Sequence, residues 1–219
     1  YVEFTGDGGI LDLPVSWLTG EPLRNEEQER YFEPGRTQER APVYQHCLRA
    51  LERACTQGEH GLPLMGSGDW NDGMDLVGNR GLGESVWLTF FASSVFGMMA
   101  DTAKKLDMKI FSENCRFTAG ALRENAEKAY NGGWYLRGYW DSGEKLGAPG
   151  SGECEIDSIS QSSAQFASAN AYKTKSALFN AYNKLTDEEN GISALFAPPF
   201  DGGKTKPGYI KRYAPGVRE

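Results

Sequence analysis

Apolar residues recur at helical spacing in five stretches, separated by long polar segments rich in glycine. Val43, Cys47, Leu48, Leu51 and Cys55 share one face, Pro42 suits a first-turn position and Gly58 can stop the element, so a helix is predicted over 43–56. A second helix is predicted over 84–106. Its Val86, Trp87, Phe90, Phe91, Val95, Met98 and Met99 make it nearly apolar all round at its start, the signature of a buried helix. A third runs over 112–130, with Leu122, Ala126, Ala129 and Tyr130 on one side and Asn131, Gly132 and Gly133 closing it. Trp134 to Trp140 alternates large and small residues before the turn residues Asp141 to Glu144, which predicts a short β-hairpin. Two further helices are predicted over 158–169 and 171–185, the latter packing through Ala171, Leu178, Ala181, Tyr182 and Leu185.

The remainder reads as loop. Residues 1–42 are read as mostly irregular, with a solvated charge run over 24–30, and residues 197–219 as an extended, partly basic functional loop. Five helices with long loops predict a mainly α architecture of paired helices, with chemistry carried on loops at one end. No short internal repeat breaks that picture.

Composition narrows the classes. The chain has 219 residues, 39% hydrophobic and 24% charged, which excludes collagen and disordered polymers. With 23 Lys and Arg against 30 Asp and Glu the net charge is -7, so the broad positive field that draws nucleic acid is missing. The longest nearly uncharged run, 85–100, is shorter than the roughly 20 apolar residues that span a bilayer. Cys47, Cys55, Cys115 and Cys154 form no C-x-x-C pair and read as free thiols of a reducing, cytoplasmic compartment. His46 and His60 are the only histidines, so no metal cofactor is expected. The chain starts at Tyr1 without a leader pattern and reads as a piece of something longer. Its many glycines and aromatic rings make carbohydrate a candidate ligand for loop-built sites.

The segment GSGDWNDGMD, Gly66 to Asp75, concentrates the candidate chemistry. Its glycines let the backbone approach a ligand, its tryptophan offers a flat face to a sugar ring, and its three carboxylates can accept from hydroxyls or protonate a glycosidic oxygen. The same residues also make ordinary surface turns, and residue chemistry alone leaves both readings open.

Taken with its surroundings, the segment is more specific. Gly61 to Met74 followed by GESVWL at 83–88, EIDSISQS at 155–162, PPFD at 198–201, PGYIK at 207–211 and PGVRE at 215–219 resemble the inverting β-glucoside phosphorylases of glycoside hydrolase family 94. LTGEPL at 18–23 and ERYFE at 29–33 fit as well, so the resemblance covers nearly the whole chain. The wording is most similar to the branch that acts on β-1,2-glucan.

The resemblance implies an (α/α)6 barrel of which residues 1–219 form the central part of one catalytic domain, incomplete at both ends, with long loops and a short β-hairpin. It carries the general acid onto Asp72, with Asp69 and Asp75 as neighbouring charges that favour its protonated form. It implies Trp70 in the donor subsite, Tyr213 and Arg218 in the acceptor subsite, and Asn71 and Gln161 as further substrate contacts. Inorganic phosphate, already an anion, would serve as nucleophile, so a single carboxylate suffices where an inverting hydrolase needs two. The implied partners are a β-glucan oligosaccharide and phosphate, with no nucleic acid. A homodimer, and a place within a larger membrane-associated synthase, stay open. Gln161-Ser162-Ser163 departs from the usual Gln-Ser-Trp of the branch, and Tyr209 replaces an acidic acceptor contact of the cellobiose enzymes. Three activities remain: phosphorolysis of a β-linked glucan, inverting hydrolysis on the same barrel, or glucan binding and length regulation without turnover. The fragment alone is expected to be inactive.

Overall fold

The computed structural model describes residues 1–24, 27 and 30–217. Its helices are a single turn α1 (Val2–Thr5), then α2 (Val43–Ala54), α3 (Val86–Lys105), α4 (Lys109–Glu127), α5 (Ser158–Phe166) and α6 (Ala171–Leu185). The five long patterns of apolar spacing therefore all become helices, displaced by a few residues where caps decide. Ser85 accepts the Leu88 N–H at 3.2 Å, so α3 starts at Val86 and Glu84 falls outside it. Asp157 accepts from Ile159 and opens α5, and Asn170 accepts from both Tyr172 and Lys173 and opens α6.

The tightest pairing is α3 with α4. Ser93 Oγ donates to Ala119 O and Ser112 Oγ to Ala100 O, each at 2.7 Å, a register in which α4 runs back along α3. Small side chains at this contact let Phe96 and Leu122 fill the seam. A second cluster, around Val86, Phe90, Tyr135, Ile156, Ala164 and Ala177, joins α3 to α5 and α6. A third holds no long helix at all: Met65, Met74, Val77, Leu146, Cys154, Phe196, Phe200 and Ile210 pack loop against loop.

Three expectations need correction. The helix predicted to be wholly buried, α3, is covered on one side only: Phe91 and Met98 are 52% and 55% exposed and border an open groove of about 960 Å³ with Phe166. By length and composition its 20 residues could cross a membrane, yet its buried side packs on α4 and α5 as a core helix does. On α6, Ala171 and Tyr182 face solvent, and the Tyr182 hydroxyl donates to Glu188 instead of packing. The region 1–42 is not mostly irregular. Strands β1 (Pro14–Thr19) and β2 (Gly35–Pro42) form an antiparallel pair with a bulge between Ser16 and Leu18. This hairpin buries little on either face, so it lacks the alternation that marks a half-buried strand. Trp17 ties it to α2, stacking on His46 at 3.7 Å beneath the Arg49 guanidinium.

The remaining strands are two residues long. β3 (Glu84–Ser85), β4 (Gly138–Tyr139) and β5 (Lys145–Leu146) form one sheet, and the expected hairpin is its β4–β5 half, closed by Trp140 N–H on Glu144 O. β6 (Ile156–Asp157) pairs with β9 (Phe196–Ala197), and β7 (Thr186–Asp187) with β8 (Ile192–Ser193). Because β3 leads directly into α3 and β6 into α5, these short ladders fix where the two helix N-termini point.

Burial separates adjacent phenylalanines sharply. Phe90 is fully buried and meets Tyr135 edge-on, so Phe90→Ala is expected to cost about 3–5 kcal/mol. Phe91→Ala should cost under about 1 kcal/mol, as surface changes do. Urea midpoints of the two variants check this; equal losses would show that the exposed face of α3 is covered.

Candidate active site

The segment 66–75 contains no long helix or strand, and a buried charge cluster holds its shape. Arg137, with no solvent exposure, grips Asp69 through both arms of its guanidinium, Nη1 to Oδ2 and Nη2 to Oδ1, each at 2.6 Å. The same carboxylate accepts from Ser85 Oγ and Trp87 Nε1 at 2.7 Å and from the Asn71 N–H at 3.2 Å. Asp157 lies on the other side of Arg137, its Oδ2 3.2 Å from Nε, close enough for ion pairing although that N–H has no aligned hydrogen bond. One arginine thus joins the loop to the caps of α3 and α5. A planar fork with fixed donors suits this position in a way a lysine would not.

Electrostatics follow from burial. Burial pushes the Asp69 carboxyl up, but the charge and hydrogen bonds of Arg137, with Ser85 and the Asn71 amide, outweigh it and leave it below the ordinary carboxylate value. Asp157 goes the other way. Burial and the Asp69 charge prevail over Arg137 and the Ile159 amide, raising it to about 6. Burial disfavours the charge on Arg137, but its two carboxylates more than compensate and hold it cationic.

The loop then turns through a 3-10 segment, Asp72–Met74. Asn71 caps it, its Oδ1 accepting the Gly73 N–H at 3.1 Å. Met74 and Gly73 are buried against Ile210, which belongs to a second 3-10 turn, Tyr209–Arg212. The two turns are locked by Asp75, whose Oδ1 accepts the Tyr209 N–H at 2.9 Å. Gly208 makes the approach possible: its φ is 128°, and a Cβ there would collide with Gly73 O and the Asp75 carboxylate.

These bonds sort the three loop carboxylates. Asp69 is committed to Arg137 and Asp75 to the Tyr209 amide, whereas the exposed Asp72 carboxyl has no hydrogen bond or ion pair among the described residues. Asp72 borders a hollow of about 260 Å³ with Trp70, Asn71, Leu195 and Ile210. Trp70, 56% exposed, also borders a second hollow of about 530 Å³ that Arg53, Thr56, Leu64 and Trp87 help to line. Its indole therefore stands between two spaces, one of which holds the free acid.

Sequence-predicted residues fare unequally. Trp70, Asn71 and Asp72 come together at one hollow. Tyr213 caps the turn that carries Ile210, its N–H on Ile210 O at 3.2 Å, and is 37% exposed. Gln161 does not reach a substrate cavity. It is fully buried, its Oε1 accepts the Tyr135 N–H, and its Nε2 donates to the carbonyls of Tyr135 and Asp157, so it pins α5 to the segment that precedes β4. Arg218 lies outside the described residues. The expectation that Asp69 stands as a bare negative neighbour of Asp72 is also corrected, since Arg137 balances that charge. Glu84, read only as an N-terminal acid of its helix, instead gathers the amides of His60 and Leu62 and the His60 ring.

The residue that sequence reasoning missed is Arg137. Its signal was present: a lone cation inside Trp134-Tyr135-Leu136-Arg137-Gly138-Tyr139-Trp140 sits in an apolar run and demands a buried partner. No group of three or more His, Cys, Asp or Glu among the described residues is placed to hold a metal.

A loop fixed from beneath by charge thus presents, among the described residues, one unpaired carboxyl and an exposed indole on a mainly α frame. Comparison with known proteins agrees with that frame. The family model for the glycosyl hydrolase 94 superfamily catalytic domain matches residues 16–219, and the chain belongs to that family. Its fold is accordingly a partial, mainly α domain of the (α/α)6 type. Over its full length the chain is 38% identical to the cyclic beta-(1,2)-glucan synthase NdvB of Rhizobium meliloti, of which it covers 8%. It is 28% identical to solabiose phosphorylase of Paenibacillus borealis, with 92% of this chain and 26% of that protein aligned. Identity to an N,N'-diacetylchitobiose phosphorylase of Vibrio furnissii is 27%, over the whole chain and 25% of the relative. The chain thus spans about a quarter or less of these relatives.

Removing Arg137 would leave two carboxylates buried without a cation, so Arg137→Leu is expected to cost about 3–5 kcal/mol in urea unfolding. The raised Asp157 also gives a pH signature. Between its ordinary value and about 6 the native chain holds one more proton than the unfolded chain, so this group lowers stability as pH rises through that window. Asp157→Asn keeps the cap and removes the titration. Relative to that variant, the unsubstituted chain should lose stability from about pH 4 to about pH 6; parallel pH curves would contradict the assignment.

Proposed function

We propose that the protein containing this chain cleaves a β-linked glucan by inverting phosphorolysis, with Asp72 as the general acid. In this reading the Asp72 carboxyl gives its proton to the bridging oxygen as the bond from that oxygen to the anomeric carbon breaks. An oxygen of inorganic phosphate forms the new bond from the opposite face, so the products are α-glucose 1-phosphate and a glucan shorter by one residue. Trp70 lies against the sugar that is transferred, Asn71 holds the turn and offers its carboxamide, and Tyr213 with Arg218 borders the departing chain.

One observation carries the reading: of three carboxylates within seven residues, Asp72 alone has no protein partner among the described residues, and it is the one beside the Trp70 hollow. A nucleophile that arrives already charged explains why one free carboxylate is enough. Membership of a family whose relatives include named phosphorylases supports the reaction class. The 38% identity to a protein named for β-1,2-glucan favours that linkage over the others. We further infer that residues 1–219 are the central part of one barrel domain, whose remaining helices would cover Phe91 and Met98 on α3.

The parent protein should release glucose 1-phosphate from β-1,2-glucooligosaccharides only when phosphate is present. Asp72→Asn should lower kcat by roughly 10²–10⁴-fold at unchanged folding. Free glucose formed regardless of phosphate would assign hydrolysis instead, and oligosaccharide binding without any product would assign a binding domain.

A further inference from the structure

A third hollow, of about 400 Å³, lies where three loops meet and shares no residue with the hollow beside Asp72. Asn79 and Arg80 come from the segment after the acid turn, Trp140 and Glu144 from the β4–β5 turn, and Lys204 and Lys206 from the chain before the second 3-10 turn. What makes it a prepared space is the way its walls are fixed. Asp141 accepts the amides of Arg80, Leu82 and Gly83 at 2.8–2.9 Å, and its own N–H bonds Val77 O, so one wall folds around a single carboxylate. Glu153 holds the opposite wall through the Gly203 amide, the Thr205 hydroxyl and the Lys211 ammonium. The Leu76 amide closes the third side on Pro207 O.

Those bonds engage Asp141 and Glu153, so three cations line the space against the carboxylates of Asp141 and Glu144. The heads of Arg80, Lys204 and Lys206 have no hydrogen bond or ion pair among the described residues, in a chain whose net charge is -7. Asp141 lines the space too, but three amide dipoles already face its oxygens. Among the described residues Glu144 accepts only the Ser142 hydroxyl, and it keeps capacity for another donor. Three free cations call for an oxyanion. A half-buried indole with an acceptor carboxylate beside it calls for a ring that carries hydroxyls. A phosphate group alone would satisfy the first and leave the second unused; a neutral sugar would do the reverse.

We propose that this hollow is a binding site for a phosphorylated sugar, separate from the site of bond cleavage. The phosphate lies among Arg80, Lys204 and Lys206, and the sugar ring rests on Trp140 with a hydroxyl to Glu144. The test uses the full parent protein and calorimetric titration with glucose 6-phosphate, whose phosphate is not at the anomeric carbon, beside glucose and inorganic phosphate as separate probes. Glucose 6-phosphate should bind at least tenfold more tightly than either fragment. The pair Lys204→Gln and Lys206→Gln, and separately the exposed Arg80→Gln, should each weaken it by at least tenfold, as should Trp140→Ala. Asp72→Asn should leave it unchanged, which separates this site from the acid site whatever the fate of the proposed reaction. Inorganic phosphate bound with equal affinity and lost equally in the cation variants, full binding of glucose 6-phosphate in both of those variants, or its loss in Asp72→Asn would each overturn the proposal.

Discussion

The clasp of Arg137 on Asp69 is the interaction on which the rest of the site depends. Gly66 to Asp75 has neither the periodicity nor the length to fold by itself, yet its course is fixed. Burying a full charge is costly, and the cost is met here because both arms of the guanidinium and a second carboxylate meet it with no water between. In return the geometry is determined. Ser85 and Trp87 bind the same carboxylate from the start of α3, and Asp157 reaches the same arginine from the cap of α5. Two helices and a loop distant in sequence are thereby referenced to one cation.

The division of labour among the loop acids follows from that clasp. Asp69 is used below the loop and Asp75 at its far end, and both uses are to hold backbone or charge in place. Asp72 occupies the turn between them, where Asn71 caps the backbone and Ile210 supports it from behind. Nothing in the described fold leans on the Asp72 carboxyl, so it is available to a ligand. Trp70 beside it is likewise left exposed, its indole face open to solvent.

Much of this was legible in the sequence, for identifiable reasons. Helical spacing of Phe90, Leu122 and Leu185 announced their helices because each stands on a buried face, and Leu51 announced α2 although it packs only half-buried on the α3–α4 cluster. The Ser85 hydroxyl cap moved the start of α3 by two residues, whereas the Asp157 carboxylate and the Asn170 amide open α5 and α6 where the spacing placed them. The acid turn was legible as a motif. Its dependence on Arg137 was not, because a pairing across 68 positions leaves no local pattern at either end. Gln161 misled for the opposite reason: it stands in a stretch that looks functional, and its three backbone hydrogen bonds show that a polar side chain there can be wholly structural. The β1–β2 hairpin escaped notice because strands exposed on both faces lose the alternation that reveals them.

The central claim is that Asp72 supplies a proton to a leaving oxygen, and it is tested most directly by changing how much the leaving group needs one. Phosphorolysis rates of the parent enzyme and Asp72→Asn should be compared on a β-glucooligosaccharide and on 2,4-dinitrophenyl β-glucoside, whose phenolate departs without protonation. The account predicts that the variant is impaired by roughly 10²–10⁴-fold on the oligosaccharide and by less than about tenfold on the activated glucoside. Equal impairment on both substrates would contradict it and assign Asp72 a role in binding or structure.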